Sequence, residues 1–183
     1  MNEMTWEKLS STYLVKEQWA TLRVDACRMP DGTVIDDYYV LEYPEWVNAI
    51  ALTDENEVIL IRQYRHAAEK VILELPGGCV DPGESPAEAI RRELLEETGY
   101  EFESIEQLCT LYANPSTSGN TTTSFVAKGG RKTQEQHLDG REQIEVLIVS
   151  LPEFKKLVLE NQFPQALHAS AAFYAMANLG LIE

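Results

Sequence analysis

The chain reads as a mixed α/β domain in which strands dominate. Three observations carry this. The first third is a series of short runs rich in Val, Ile, Thr and Tyr, separated by turn residues. One strong helix follows, with start and stop signals at its two ends. Two more apolar segments of helical length close the chain. A length of 183 residues suits one domain with a small extension.

Residues 19–26 alternate loosely and end at Pro30-Asp31-Gly32, a turn signal; residues 33–43 follow, and the pair predicts a hairpin. Residues 47–52 and 58–62 predict a second hairpin across Asp54-Glu55-Asn56. Residues 71–75 form a further short strand, stopped by Pro76-Gly77-Gly78. The helix then opens with Ser85 as N-cap, Pro86 in its first position and Glu88 completing a capping box. Gly99 stands where a left-handed C-terminal residue ends such a helix. Strands are expected over 105–112, 121–127 and 144–150, and helices over 152–160 and 164–178. No repeat or low-complexity linker marks a sharp boundary.

An apolar fraction of 44% supports an ordinary packed core and excludes disorder. Thirty acids against fifteen bases give a net charge of −15. That balance argues against a nucleic-acid backbone or an anionic membrane as partner. It leaves phosphorylated small molecules open, because bound divalent cations reverse the local field. The first ten residues carry Glu3, Glu7 and Lys8 and lack a signal-peptide core. No run is long enough to span a membrane; residues 166–182 come closest and contain His168, Ser170 and Asn178. Cys27, Cys79 and Cys109 are odd in number and lack metal-ligand spacing, as expected of buried thiols in a reducing cytoplasm. His66, His137 and His168 are scattered and read as ordinary polar or partly packed residues.

The helix carries the chemistry. Projected at about 100° per residue, Ala87, Ile90 and Leu94 form one stripe, and Glu93, Glu96 and Glu97 an adjacent arc. Glu97 borders the stripe close to Ile90. Like charges at this spacing repel by roughly 0.2–0.5 kcal/mol per exposed pair, and desolvation beside a core adds to the cost. Arg92, beside Glu96, offsets part of it; a divalent cation is the other source of positive charge. An isolated Glu-Glu pair would read as a solvated acidic face, but the surroundings here say more. Gly77-Gly78 permits close backbone approach just before the helix, and Glu84 adds a carboxylate from the connecting loop. Oxygen ligands without Cys or His favour Mg²⁺ or Mn²⁺ over zinc.

The run Gly78-Cys-Val-Asp-Pro-Gly-Glu84-Ser-Pro-Ala-Glu-Ala-Ile-Arg-Arg92-Glu93-Leu94-Leu-Glu96-Glu97-Thr-Gly99-Tyr100 resembles a complete Nudix box, G-x5-E-x7-R-E-U-x-E-E-x-G-U, with U a bulky apolar residue. Every fixed position matches. The resemblance implies a Nudix-type α/β/α sandwich with an N-terminal antiparallel β-sheet extension, and hydrolysis of a nucleoside diphosphate linked to another moiety. It assigns metal coordination to Glu93, Glu96 and Glu97 and to the carbonyl of Gly77. It makes Glu84 and Arg92 supporting residues that orient the helix and its carboxylates.

Three features outside the box narrow the group. Gln63-Tyr64-Arg65 followed by Glu74-Leu75-Pro76-Gly77-Gly78 resembles a run of the ADP-ribose and nucleotide-sugar pyrophosphatases, in which Arg65 matches a diphosphate-contacting arginine. Pro115 lies sixteen residues beyond Gly99, an offset that marks the ADP-ribose pyrophosphatases, although Ser116 stands where that group has glycine. The stretch from Asp139 to Val146 resembles the acidic loop that supplies a general base; Glu142 is the best match, with Asp139, Glu145 and Glu96 as competitors. In Glu145 the alternation into the strand predicts an outward side chain if Ile144 and Val146 point inward.

The resemblance further implies that residues 1–44 form a strand region for dimerisation and base binding, ahead of a hydrolase domain over 45–183. The expected assembly is a homodimer with exchanged N-terminal strands, and Trp6, Tyr38 and Tyr39 are the rings available to stack on a base. The expected enzyme is a cytoplasmic, Mg²⁺-dependent pyrophosphatase that splits ADP-ribose, GDP-mannose or a similar compound into a nucleoside monophosphate and a sugar phosphate. Housecleaning hydrolysis of (d)NTPs is the alternative within enzymes; a non-catalytic nucleotide sensor on the same fold is the alternative outside them.

Overall fold

A computed structural model of the chain describes residues 4–182; Met1–Glu3 and Glu183, and with them the first three positions of the expected 1–44 region, lie outside the described residues. The chain divides into two compact units, one made of residues up to Pro44 together with Tyr112–Thr121, the other of Glu45–Leu111 and the rest.

The first unit is an antiparallel meander of β1 (Glu7–Glu17), β2 (Ala20–Arg28) and β3 (Val34–Glu42). The hairpin expected around Pro30-Asp31-Gly32 is β2–β3. Its turn is closed by the Gly32 N–H on the Met29 carbonyl (2.9 Å) and by the Asp31 carboxylate on the Thr33 N–H (2.9 Å). β1 was not among the expected strands. All eleven of its residues are exposed and its pairing with β2 slips twice, between Lys8 and Ser10 and between Tyr13 and Val15. Each slip reverses the side-chain alternation, so no period-2 signal survives. The 112–121 segment joins this unit through the Leu41 N–H on the Thr117 carbonyl (2.7 Å) and the Tyr38 hydroxyl on the Ser116 carbonyl (2.9 Å).

The second unit holds β4 (Trp46–Thr53), β5 (Val58–Arg65), β6 (Lys70–Glu74), α1 (Pro86–Thr98), β7 (Tyr100–Glu101), β8 (Ser104–Tyr112), β9 (Thr121–Lys132), β10 (Ile144–Val149), α2 (Leu151–Leu159) and α3 (Ala166–Asn178). Its mixed sheet runs β10-β5-β4-β9-β7, with β6 added to β5 and β8 to β9, and β4 and β9 are parallel. The sheet lies between helices. Val47, Ala49 and Ala51 face Ala89, Ile90 and Leu94 of α1. Ile50 and Leu52, of opposite parity on β4, pack with Leu60, Phe154, Phe163 and Met176 on the α2–α3 side. Each such side chain contributes about 1.5–3 kcal/mol on burial. This is the α/β/α sandwich with an antiparallel extension.

The caps of α1 form as the sequence indicates. Ser85 accepts from the Glu88 N–H, Glu88 reaches back to the Ser85 N–H (2.8 Å), and Gly99 is left-handed at φ 77°. One detail of the projection is corrected: Ala89, not Ala87, joins Ile90 and Leu94 in the core, and Ala87 is exposed. Ala87 sits in the first turn, before the helix reaches the sheet.

β4 and β5 pair only at Ala51↔Ile59 and Leu52↔Val58. Beyond that, β6 pairs with β5, and the residues after β6 pair with β4: the Ala49 N–H donates to the Pro76 carbonyl (3.0 Å) and the Val47 N–H to the Gly78 carbonyl (2.9 Å). The chain from Glu74 to Gly78 is therefore a wedge that changes partner strand in the middle of the sheet.

Candidate active site

The wedge and α1 together build the site. Gly77 has φ +150°, and a Cβ there would run into the Val47 carbonyl; a Cβ on Gly78 would overlap the Glu93 carboxylate. Only glycines let the wedge lie this close to both strand and helix. The Gly77 N–H donates to Glu97 Oε2 at 2.7 Å.

Arg92 organises the carboxylates. Its Nε and Nη2 grip Glu84 (3.1 and 3.0 Å), Nη1 donates to Glu93 (2.9 Å) and to Glu96 (3.1 Å), and Nη2 also reaches the Cys79 carbonyl (2.9 Å). Every N–H of the guanidinium is thereby used. The bonds from Glu84 foremost hold the Arg92 pKa above its ordinary value, and the same contact holds the Glu84 carboxyl below its own. Arg92 thus has no donor left for a ligand.

Glu97 is 3% exposed. Burial, reinforced by the charges of Glu93 and Glu142, pushes its carboxyl well above the usual carboxylate range despite the Gly77 bond. Burial likewise raises Glu93, with Arg92 opposing. One oxygen of each of Glu93, Glu96 and Glu97 stays outside the bonds described above. Three hard oxygen donors, whose charge Arg92 offsets only in part, suit a divalent cation such as Mg²⁺ or Mn²⁺. They do not form a closed cage: among the described residues no three acidic, His or Cys side chains enclose a point where an ion would sit.

Arg65, at the end of β5, pairs through Nε and Nη2 with Glu74 (3.1 and 2.8 Å), leaving Nη1 outside the pair. Gln63 donates to the same carboxylate (2.8 Å). Glu74 is wholly buried at the foot of the wedge, and the sequence reading gave it no role. The available signal was a lone acid inside the run Val71-Ile-Leu-Glu74-Leu75, since a charge in an apolar strand demands a partner.

Glu142 lies in an exposed loop that closes on itself. Its carboxylate accepts from the Asp139 N–H (3.1 Å), and Asp139 accepts from the Arg141 N–H (2.6 Å). The loop is docked on the end of α1 by His137 N–H on the Glu96 carbonyl (2.8 Å) and by the Gln136 amide on the Glu97 carbonyl (2.6 Å). Glu145 points outward to Arg62 (2.7 Å), with Ile144 buried beside it, as the alternation predicted.

In the first unit, Trp6 and Tyr38 meet edge-to-face with centroids 6.0 Å apart. They line a cavity of ≈ 330 Å³ with Lys8, Arg23, Asp25, Cys27 and Val40, and Arg23 pairs there with Asp25. Tyr39 does not line it; one residue along β3, it faces the other side of the sheet and is half exposed. Cys27 and Cys109 are only partly buried and Cys79 is exposed, where buried thiols were expected.

A model of the NUDIX domain matches residues 43–169, and one of the nucleoside diphosphate sugar hydrolase N-terminal domain matches residues 6–41. The chain is 31% identical over 154 residues to an ADP-ribose pyrophosphatase of Bacillus subtilis (strain 168), spanning 84% of this chain and 83% of that protein. It is 34% identical over 142 residues to the methanol dehydrogenase activator of Bacillus methanolicus, spanning 77% and 76%. A crystal structure of an ADP compounds hydrolase superposes with a TM-score of 0.83 over 97% of both chains at 24% identity, which shows a shared fold.

Proposed function

Since the chain belongs to the Nudix family, we propose that it is a Mg²⁺-dependent hydrolase of nucleoside diphosphate sugars, ADP-ribose, GDP-mannose or a close analogue. The family match makes it a hydrolase of pyrophosphate bonds, and the N-terminal match together with the ADP-ribose pyrophosphatase relatives supports the sugar-linked class. Nudix hydrolases generally use divalent metal ions. The observation that carries the reading is the buried carboxylate of Glu97, which faces the charges of Glu93 and Glu142 beside a fully engaged Arg92. Such a cluster costs stability unless a cation neutralises it.

In this reading Glu93, Glu96 and Glu97 hold the cation, which when bound neutralises a diphosphate and acidifies water. Arg92 and Glu84 keep the carboxylates aimed. Arg65, fixed on Glu74, turns its remaining edge to phosphate oxygens, where a guanidinium binds without a proton to lose. Glu142 swings out of its loop and takes the proton of the attacking water at a carboxylate oxygen. The water oxygen bonds to phosphorus and the bridging P–O bond breaks, giving a nucleoside monophosphate and a sugar phosphate. Trp6 and Tyr38 stack on the base, with Lys8 and Arg23 as the cations of the same cavity.

We further infer a cytoplasmic homodimer with exchanged N-terminal strands, with residues 1–44 serving assembly and base binding and 45–183 hydrolysis. Exposed Leu9, Tyr13, Leu14 and Val15 on β1 supply apolar area for the contact. Neither nucleic acid nor membrane is a partner in this reading; among the described residues no helix is long and apolar enough to cross a bilayer. The test is phosphate chemistry on a panel of nucleoside diphosphate sugars and triphosphates, with Mg²⁺ and with chelator. Hydrolysis confined to triphosphates would overturn the substrate class, and full activity in chelator the metal.

A further inference from the structure

Two amides of the wedge, released from the strand ladders, donate to side chains on opposite faces of the sheet. β6 stops pairing with β5 at Glu74, Pro76 has no N–H, and the carbonyls of Pro76 and Gly78 are taken by β4. That leaves the N–H groups of Leu75, Gly77 and Gly78, of which the first two have side-chain acceptors. Gly77 donates to Glu97 on α1. Leu75 donates to Nδ1 of His168, in the first turn of α3, at 2.9 Å.

We propose that His168 is a positioning residue: by accepting the Leu75 N–H from the α3 side it fixes the wedge at the height where Gly77 meets Glu97 and Glu74 meets Arg65. The inference rests on the hydrolase reading above and adds a residue from outside the box, in the last helix. His168 is buried, and Leu75 is wholly buried, so no water replaces the bond. Donation into Nδ1 fixes the tautomer with its proton on Nε2. Burial, aided by the nearby Arg65 charge, pulls the His168 pKa down to about 3, which keeps Nδ1 an acceptor in ordinary buffers. Without an acceptor the Leu75 amide would be a buried orphan at the one point where the chain changes strands. The residue on either side of Pro76 would then shift, carrying Glu74 and Gly77 with it.

The test compares His168→Asn, His168→Gln and His168→Phe. Asn offers an oxygen near the Nδ1 position. Gln offers its amide near Nε2 instead, and Phe keeps the ring volume without an acceptor. The readouts are kcat and KM on the best nucleoside diphosphate sugar in Mg²⁺, and hydrogen exchange of the Leu75 and Gly77 amides in metal-free protein. His168→Gln and His168→Phe are expected to lower kcat about 10–100-fold, more than they alter KM, and to speed exchange at Leu75 and Gly77 ahead of the flanking strands. His168→Asn is expected to restore both. Equal behaviour of the Asn and Gln variants, or faster exchange spread evenly over the sheet, would reduce His168 to packing and overturn the proposal. Wild-type kcat in His168→Gln would do the same. If the unsubstituted protein hydrolyses no nucleoside diphosphate sugar, the functional reading fails by itself, and the exchange comparison still decides the role of His168.

Discussion

The Arg65–Glu74 pair predicts unequal costs for removing its two members. Glu74 is 0% exposed and accepts from Arg65 and Gln63, whereas the Arg65 side chain is 44% exposed. Arg65→Met leaves a carboxylate sealed in the sheet with one amide donor. Stranding a buried charge in this way costs about 3–5 kcal/mol. Glu74→Gln leaves a guanidinium that water already reaches, and a neutral amide that still accepts from it, for about 1 kcal/mol. At roughly 2–4 °C per kcal/mol for a chain of this size, Arg65→Met should melt about 6–20 °C lower and Glu74→Gln about 2–4 °C lower. The assay is urea unfolding of metal-free protein followed by tryptophan fluorescence, with equal m-values as the check on a common transition. The double variant should be more stable than Arg65→Met alone, because the stranded charge has gone. Equal costs for the two single variants, or a double variant no better than Arg65→Met, would refute the argument.

Three further outcomes are expected. Burial holds the folded-state pKa of Glu97 well above that of an exposed glutamate, so its stabilising contribution is present below the unfolded-state pKa and is lost as pH rises through the folded one. Glu97→Gln should therefore flatten the decline of metal-free stability at rising pH, while lowering hydrolysis by about 10²-fold or more; near-normal turnover in saturating Mg²⁺ would remove Glu97 from the site. Glu142→Gln should lower kcat by about 10²–10⁴-fold with little change in KM, and a collapse in Asp139→Asn or Glu145→Gln instead would move the base there. Asn48 is buried on β4 with neither side-chain amide atom bonded to protein; Asn48→Leu should raise stability by about 1 kcal/mol in an unfolding titration, and a loss of that size would show that bound water holds the amide.

What the sequence discloses about this molecule depends on how local the signal is. α1 was readable to its caps because Ser85, Pro86, Glu88 and Gly99 act within one turn of the backbone they satisfy. β4, β5 and β10 were readable because each carries a short, mostly apolar run bounded by turn residues or polar residues. β1 was not, since its two slips scramble the alternation, and β7, two residues long, is defined only by its pairing to β9. In the site, the arc of Glu93, Glu96 and Glu97 follows from helical spacing, and so does the burial of Glu97. The role of Glu74 and the bond from Leu75 to His168 did not follow, because each is set by a partner strand or helix whose register no local pattern encodes. The engagement of every Arg92 donor is intermediate: Glu93 and Glu96 are helical neighbours, but Glu84 and the Cys79 carbonyl arrive from the loop.

The wedge also has a consequence for the order in which the protein is made. Its outer bonds close loops of very different length: Gly78 returns to Val47, β9 must lie parallel to β4, and Leu75 waits for a residue 93 positions later. Loop closure over such separations is paid in chain entropy before any contact repays it, and non-local pairing slows folding. On a ribosome the box helix emerges complete and capped long before α3 exists. The nascent chain thus carries the acidic helix early, but its Leu75 amide finds an acceptor only when residue 168 clears the exit tunnel. On the proposed role of His168, arrested chains that end before α3 should hold the helix without the aligned wedge.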